Sequence, residues 1–339
     1  MAEEKSALDS AYERSVKAYE KGTSLKTILA ACAAIAALVC AVLIGTVYKT
    51  RGTVTDFSIP EPDAHVQMYP CDTISLDSYT FDINEEMYSR SAVMINVTTG
   101  HMVCKKNENA ELYPASLTKM MTVLVALENV QNPEQTITVS GNGFARLAEE
   151  NASVAGLKAG DTVSILDLCY ATILPSGADA AITLAEFVSG SEENFVAKMN
   201  LRAVELGMND THFRNVTGLH NDNHYSTAYD LAVMMQHAMK NEYFHQVITT
   251  EKYTLTGCGL SVYSTVFDKA NKMTVNKLRS AKLLGGKSGY TPEAGLCLAT
   301  VTQYGEHEFI TVTLCADGTL YTPQYAMIDT YMIVNNYAY

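Results

Sequence analysis

From Thr27 to Val47 the chain runs TILAACAAIAALVCAVLIGTV without a charge. As a helix rising 1.5 Å per residue this spans about 30 Å, one bilayer core. An apolar run this long leaves no polar face for solvent, so the pattern predicts a transmembrane helix over 27–48. A cleaved signal peptide would place a shorter apolar region nearer the N-terminus, with small residues at a cut site. From Gly52 to about Thr80 the chain is rich in Pro, Asp and Ser and lacks periodicity, the mark of a stalk over 49–80. A globular domain is expected over 81–339.

Within that domain the rhythm changes twice. Ser91–Asn96 and His101–Lys106, joined by VTTG, have the length and turn chemistry of a hairpin. Ala281–Lys287, Gly295–Tyr304 and Glu308–Ala316 carry Val, Ile, Thr and Phe between Gly and Pro boundaries and read as further strands. Between these groups apolar residues recur at helical spacing, in Leu117–Val130, Ile165–Leu174, Asp179–Val188 and Glu193–Leu206; Gln324–Tyr337 reads as a closing helix. Strands at both ends enclosing a run of helices predict an α+β fold in which about five strands share one mainly antiparallel sheet.

Composition adds compartment and orientation. Arg14, Lys17, Lys21 and Lys26 precede the apolar run while only Lys49 and Arg51 follow closely, which puts the tail over 1–26 in the cytoplasm and the domain outside. Residues 52–339 carry 17 Lys and Arg against 32 Asp and Glu, a formal charge of −15. Such a surface disfavours nucleic acid and anionic lipid. Outside the cytoplasm disulfides are permitted. If YGEHE is a hairpin turn, Cys297 and Cys315 face each other and could form a bridge; two reduced cysteines packed as small apolar residues fit equally.

Three short stretches carry candidate chemistry. In PASLTK, Ser116 and Lys119 stand three residues apart at a helix start signalled by Pro114, so they share a face. A hydroxyl becomes a nucleophile beside a base, and the amine of Lys119 serves if its surroundings keep it neutral. LPSGADAA places Ser176, Gly177 and Ala178 at a turn between helical runs. GGKSGYT puts Lys287, Ser288 and Gly289 on a strand, where glycine lets a substrate backbone approach the edge. Each stretch alone has an ordinary reading, as surface helix, cap or strand end. Their order on helix, turn and strand is far more specific.

These motifs resemble the S-x-x-K, serine-containing and K-T-G signature of penicillin-binding proteins and class A β-lactamases. The stretches GLKAGDTVSILDLCYATILPSGADAAITLAE, FVAKMNLRAVELGMNDTHFRNVTGL and HYSTAYDLAVMM are most similar to low-molecular-mass D-alanyl-D-alanine carboxypeptidases. The resemblance implies a β-lactamase/transpeptidase-like fold and a serine peptidase acting on peptidoglycan stem peptides, inhibited by β-lactams and needing no metal or cofactor. It implies that Ser116 attacks, Lys119 takes its proton, and the amides of Ser116 and Tyr290 form the oxyanion hole. Ser176 would relay a proton toward the leaving amine. Gly177, Ala178, Lys287, Ser288 and Gly289 would line the substrate site, with Lys287 and Ser288 on the carboxylate.

The chain departs from the family pattern at three points. Ala178 stands where an Asn amide is usual, Ser288 replaces the commoner Thr, and no Lys or Arg follows Lys287, where the family often supplies a carboxylate-binding Arg. A β-lactamase and a binding or regulatory homologue with weakened catalysis are therefore alternative readings. The family's common C-terminal β-rich domain is expected to be absent. His212, His220 and His224 lie in a stretch that reads as a loop rather than a metal-binding face, and Glu205 to Asn209 as a helix end.

Overall fold

The strand SAVMIN lacks polar alternation because both faces of its sheet are covered. A computed structural model describes residues 80–274 and 277–338. The predicted tail, membrane helix and nearly all of the stalk lie outside the described residues. The described chain opens with β1 (Phe81–Asp82), β2 (Ser89–Asn96) and β3 (Met102–Lys106). A 3-10 turn over Ala115–Leu117 leads into α1 (Thr118–Glu128), followed by β4 (Thr136–Thr138), α2 (Phe144–Glu149) and β5 (Thr162–Ser164). Next come α3 (Ile165–Ile173), α4 (Ala178–Ser189), α5 (Glu192–Glu205), α6 (Ala228–Ala238) and α7 (Glu242–Ile248). The short β6 (Lys252–Thr254) and β7 (Ser261–Tyr263) precede α8 (Thr265–Lys272), and β8 (Lys282–Thr291), β9 (Gly295–Tyr304), β10 (His307–Ala316) and α9 (Tyr325–Tyr337) complete the domain.

Early and late strands meet as expected, in one sheet ordered β1-β3-β2-β10-β9-β8. It has six strands because the two residues of β1 add in parallel to β3; the other neighbours are antiparallel. Val93 and Ile95 of β2 join the large core shared with the helices, whereas Ala92 and Met94 face the opposite side with Ile333 of α9. Successive residues point to opposite faces of a strand, so double cover demands an unbroken apolar run. In the first turn the Asn96 side chain accepts from the amides of Thr98 and Thr99, and Gly100 takes φ +69°.

α1 is the buried axis of the helical part. Thr118 through Leu127 are all buried, so its apolar pattern covers the whole circumference rather than one stripe. The last hairpin carries an irregularity that periodicity did not foresee. Between Thr313 and Ala316 the β10 register shifts against β9, and Cys315 sits at φ +54°. Cys297 and Cys315 are both free, with Cys297 Sγ directed toward Tyr113 O at 3.6 Å. The bridge suggested by simple hairpin counting is not formed, because that counting assumes an unbroken ladder.

Candidate active site

The first motif is built as a tight turn rather than a plain helix start. Ser116 lies inside the 3-10 segment, one residue after Ala115 at φ +46°, and Lys119 is the second residue of α1. A left-handed Ala is uncommon and needs support from its surroundings. Thr118 Oγ1 donates to Ala115 O at 2.8 Å and lies 2.8 Å from His224 Nε2. Because the Arg214 amide donates to His224 Nδ1 at 3.2 Å, the ring proton is assigned to Nε2, which donates to Thr118. Burial, with smaller contributions from His212 and His220, holds His224 down at about 3, so this chain of bonds stays neutral at working pH. Gly218, at φ +80°, packs its α-carbon against the Ala115 carbonyl, where any side chain would collide with backbone.

Lys119 Nζ lies 3.1 Å from Ser116 Oγ and donates to Thr217 O at 2.7 Å. The lysine is 2% exposed, and burial lowers its amine to about 7, partly offset by the charge of Asp179. A buried ammonium loses hydration that two neutral oxygens do not fully replace, so the neutral form gains. The neutral amine can donate one N–H to Thr217 and keep its lone pair for the Ser116 proton. Thr217 is itself fixed: Asn215 Oδ1 accepts from the amides of Thr217 and Gly218, and Asn215 Nδ2 donates to Leu219 O.

The second motif turns sharply. Ser176 has φ +65°, and its buried Oγ has no hydrogen-bond partner among the described residues. It therefore makes no hydrogen bond to Ser116 or Lys119. Gly177 caps α4, and Ala178 is its fully buried first residue. Asp179 Oδ1 accepts from Ala155 N, its Oδ2 accepts from Gly156 N and Leu157 N, and Ala178 N donates to Ser153 O. The 153–157 loop is thus tied to the start of α4. The carbonyl of Thr217 supplies Lys119 with an acceptor that Ala178 cannot offer.

The third motif lies on the edge strand β8. Lys287 is fully buried, with Nζ donating to Ser288 O at 2.6 Å. Burial, then Lys119 and Lys269, hold its amine well below the usual lysine range. Ser288 Oγ shares a hydrogen bond of 3.0 Å with Thr265 Oγ1 at the start of α8. A methyl group on Gly289 would sit 2.9 Å from Ser116 N, so the strand backbone lies against the turn that carries Ser116 and brings Tyr290, the next residue, beside it.

Ser116, Lys119, Lys287 and Gly289 therefore converge from the first and third motifs. A hydroxyl, a dry amine and a strand edge in one cleft suit acyl transfer. The chain belongs to the D-alanyl-D-alanine carboxypeptidase family. The family's model matches residues 79–318. The carboxypeptidase DacF of Bacillus subtilis is 36% identical over 236 residues, 67% of this chain and 57% of DacF. DacD of Escherichia coli is 32% identical over 239 residues, 69% of this chain and 60% of DacD. The chain thus spans less than two thirds of the length of these relatives. Among solved structures, the Streptomyces K15 DD-transpeptidase is 26% identical at a TM-score of 0.65, covering 76% of this chain and 100% of that one. Penicillin-binding protein 6B of Escherichia coli is 29% identical at 0.63, covering 74% and 77%.

Within the family frame, several participants were not singled out in the sequence. Thr217 contributes only a backbone carbonyl, which no side-chain motif encodes, although NVTGL lies in a stretch of dense resemblance. Asp179 read as part of a helix, and Thr118 was not singled out within PASLTK. His220 packs edge-on to Tyr113 and lies 3.3 Å from Asp222, while His212 Nδ1 lies 2.6 Å from Asn223 O. Glu205 ends α5 and pairs with Arg202 at 3.0 Å. Among the described residues no helix is long and apolar enough to cross a membrane; the predicted span lies outside them.

Proposed function

We propose that this chain is a membrane-anchored serine D-alanyl-D-alanine carboxypeptidase that removes the terminal D-alanine from peptidoglycan stem peptides outside the cytoplasm. The contact between Ser116 Oγ and a dehydrated Lys119 amine carries this reading. Ser116 Oγ bonds to the carbonyl carbon between the two D-alanines while its proton passes to Lys119. The amides of Ser116 and Tyr290 hold the developing oxyanion. The C–N bond then breaks, and D-alanine leaves after its nitrogen gains a proton relayed through the otherwise unpartnered Ser176 hydroxyl. Lys119, having passed its proton to the leaving amine, takes one from the attacking water and hands it to Ser116 Oγ as the ester C–O bond breaks and the shortened peptide is freed. A penicillin would acylate the same hydroxyl and remain there. The apolar run from Thr27 to Val47 supports an anchor with the N-terminus inside.

The full-length protein in detergent should release D-alanine from an acetylated peptide ending in D-alanyl-D-alanine and take up a fluorescent penicillin. Ser116→Ala should do neither. A wild-type protein that releases no D-alanine overturns the carboxypeptidase reading, and rapid turnover of a chromogenic cephalosporin would point to a β-lactamase. Recovery of the protein in the carbonate-soluble fraction of cell membranes would overturn the anchor.

A further inference from the structure

Ser176 is held in a left-handed conformation, at φ +65°, which a residue with a side chain adopts only when its surroundings impose it. The support comes from behind the turn. Gly177 N donates to Ala171 O at 3.0 Å, and Ala178 N to Ser153 O at 2.8 Å. A methyl group on Gly177 would lie 2.5 Å from Ala171 O and 2.8 Å from both Ala155 Cβ and Asp179 Oδ1, so nothing larger than glycine fits. Asp179 joins these pieces. Its Oδ1 accepts from the amides of Ala155 at 2.8 Å and Ala180 at 3.0 Å, and its Oδ2 from those of Gly156 at 2.9 Å and Leu157 at 3.0 Å.

Four N–H donors around a carboxylate only 2% exposed make a nest for negative charge. That charge also reaches the nucleophile. Helix α4 packs on α1, and Asp179 favours the ammonium form of Lys119 against the larger effect of burial. Among the described residues, the other charged group facing Lys119 is Lys287 of β8; the Ser116 hydroxyl and the Thr217 carbonyl are neutral. Burial alone would leave Lys119 neutral but weakly basic, and a general base works best when its proton affinity lies near the working pH.

We propose that Asp179 is a positioning residue for the reaction: it fastens the turn that bears Ser176 to the 153–157 loop, and its negative charge keeps Lys119 basic enough to take the Ser116 proton. A carboxylate that served only to start a helix would do the first and not the second.

This inference rests on the proposed mechanism and deepens it. The full-length protein in detergent, its fold checked by a melting curve, would be labelled with a fluorescent penicillin from about pH 5 to about pH 9. Asp179→Asn removes the charge and should move the midpoint of the acylation profile down by about half a pH unit or more, with a lower plateau. Asp179→Glu keeps the charge but displaces its oxygens by one methylene. Its midpoint should stay within about 0.2 units of wild type, while its plateau falls by about tenfold or more because the turn is no longer fastened. An Asp179→Asn midpoint equal to that of wild type overturns the proposal, however early the variant melts. Should Asp179→Asn not fold, Asp179→Glu decides: a shifted midpoint or an unchanged plateau overturns it. A wild-type protein that no penicillin labels brings down the enzyme reading as well, whereas a labelled wild type with an unmoved Asn variant overturns the role of Asp179 alone.

Discussion

At the scale of single residues, the proposed mechanism makes Lys119 the group that decides when Ser116 can react. Burial places its amine at about 7, against an ordinary lysine value of about 10.4. A depressed lysine is neutral above its folded value and gains a proton as pH falls through it. Base strength is therefore present above about 7 and lost below. We expect the rate of Ser116 acylation by a fluorescent penicillin to rise about tenfold per pH unit below that point and to level off above it. A profile that keeps rising to pH 9 would mean that Lys119 is solvated. Ser116, Lys119 and Lys287 were legible in the sequence because spacing alone puts a hydroxyl and an amine on one helix face, and glycines mark a strand edge. Thr217 was not, because its carbonyl reaches Lys119 across 98 residues of chain. Nor was His224, whose support of Thr118 depends on tertiary packing.

At the scale of elements, the site is a contact between the 3-10 turn and the edge strand β8. Gly289 permits that contact: a methyl there would lie 2.9 Å from Ser116 N, 3.0 Å from Ala115 Cβ and 3.1 Å from Pro114 O. These neighbours are largely backbone and cannot rotate away, so Gly289→Ala must push the strand from the turn and, on the proposed mechanism, part the amides of Ser116 and Tyr290 that would hold the oxyanion. Loss of one oxyanion donor costs about 100- to 1000-fold in rate, and we expect penicillin acylation of Gly289→Ala to fall by at least the lower figure. An acylation rate within threefold of wild type would show that the strand can shift without cost. The strands and main helices were readable because their apolar runs have the right period and length. The bulge at Cys315 and the left-handed residues Ala115 and Ser176 were not, since each is imposed by neighbours rather than by local preference.

At the scale of the whole molecule, the site exists because the two ends of the domain are joined. β2 and β10 pair in the middle of the sheet, and α9 covers the face away from the helical core. The enclosing order of strands and helices made this arrangement legible, whereas the lock that fastens it is a single buried carboxylate. Asp329 of α9 accepts from Ser89 Oγ and Ser89 N at 2.6 Å each, and from Tyr88 N at 3.2 Å, spanning about 240 residues of chain. Removing it strands the buried amide and hydroxyl of Ser89, at a cost of about 3 kcal/mol. For a domain of this size that corresponds to a fall in melting temperature of about 5 to 10 °C. Because α9 and the catalytic cleft lie on opposite faces of the sheet, Asp329→Ala should keep its penicillin acylation rate at 20 °C within about twofold of wild type while melting earlier. Early melting with slowed acylation at 20 °C would instead show that the α9 seam is coupled to the nucleophile through the strands. An unchanged melting temperature would show that water replaces the carboxylate at no cost and that the sheet closes through its backbone pairing alone.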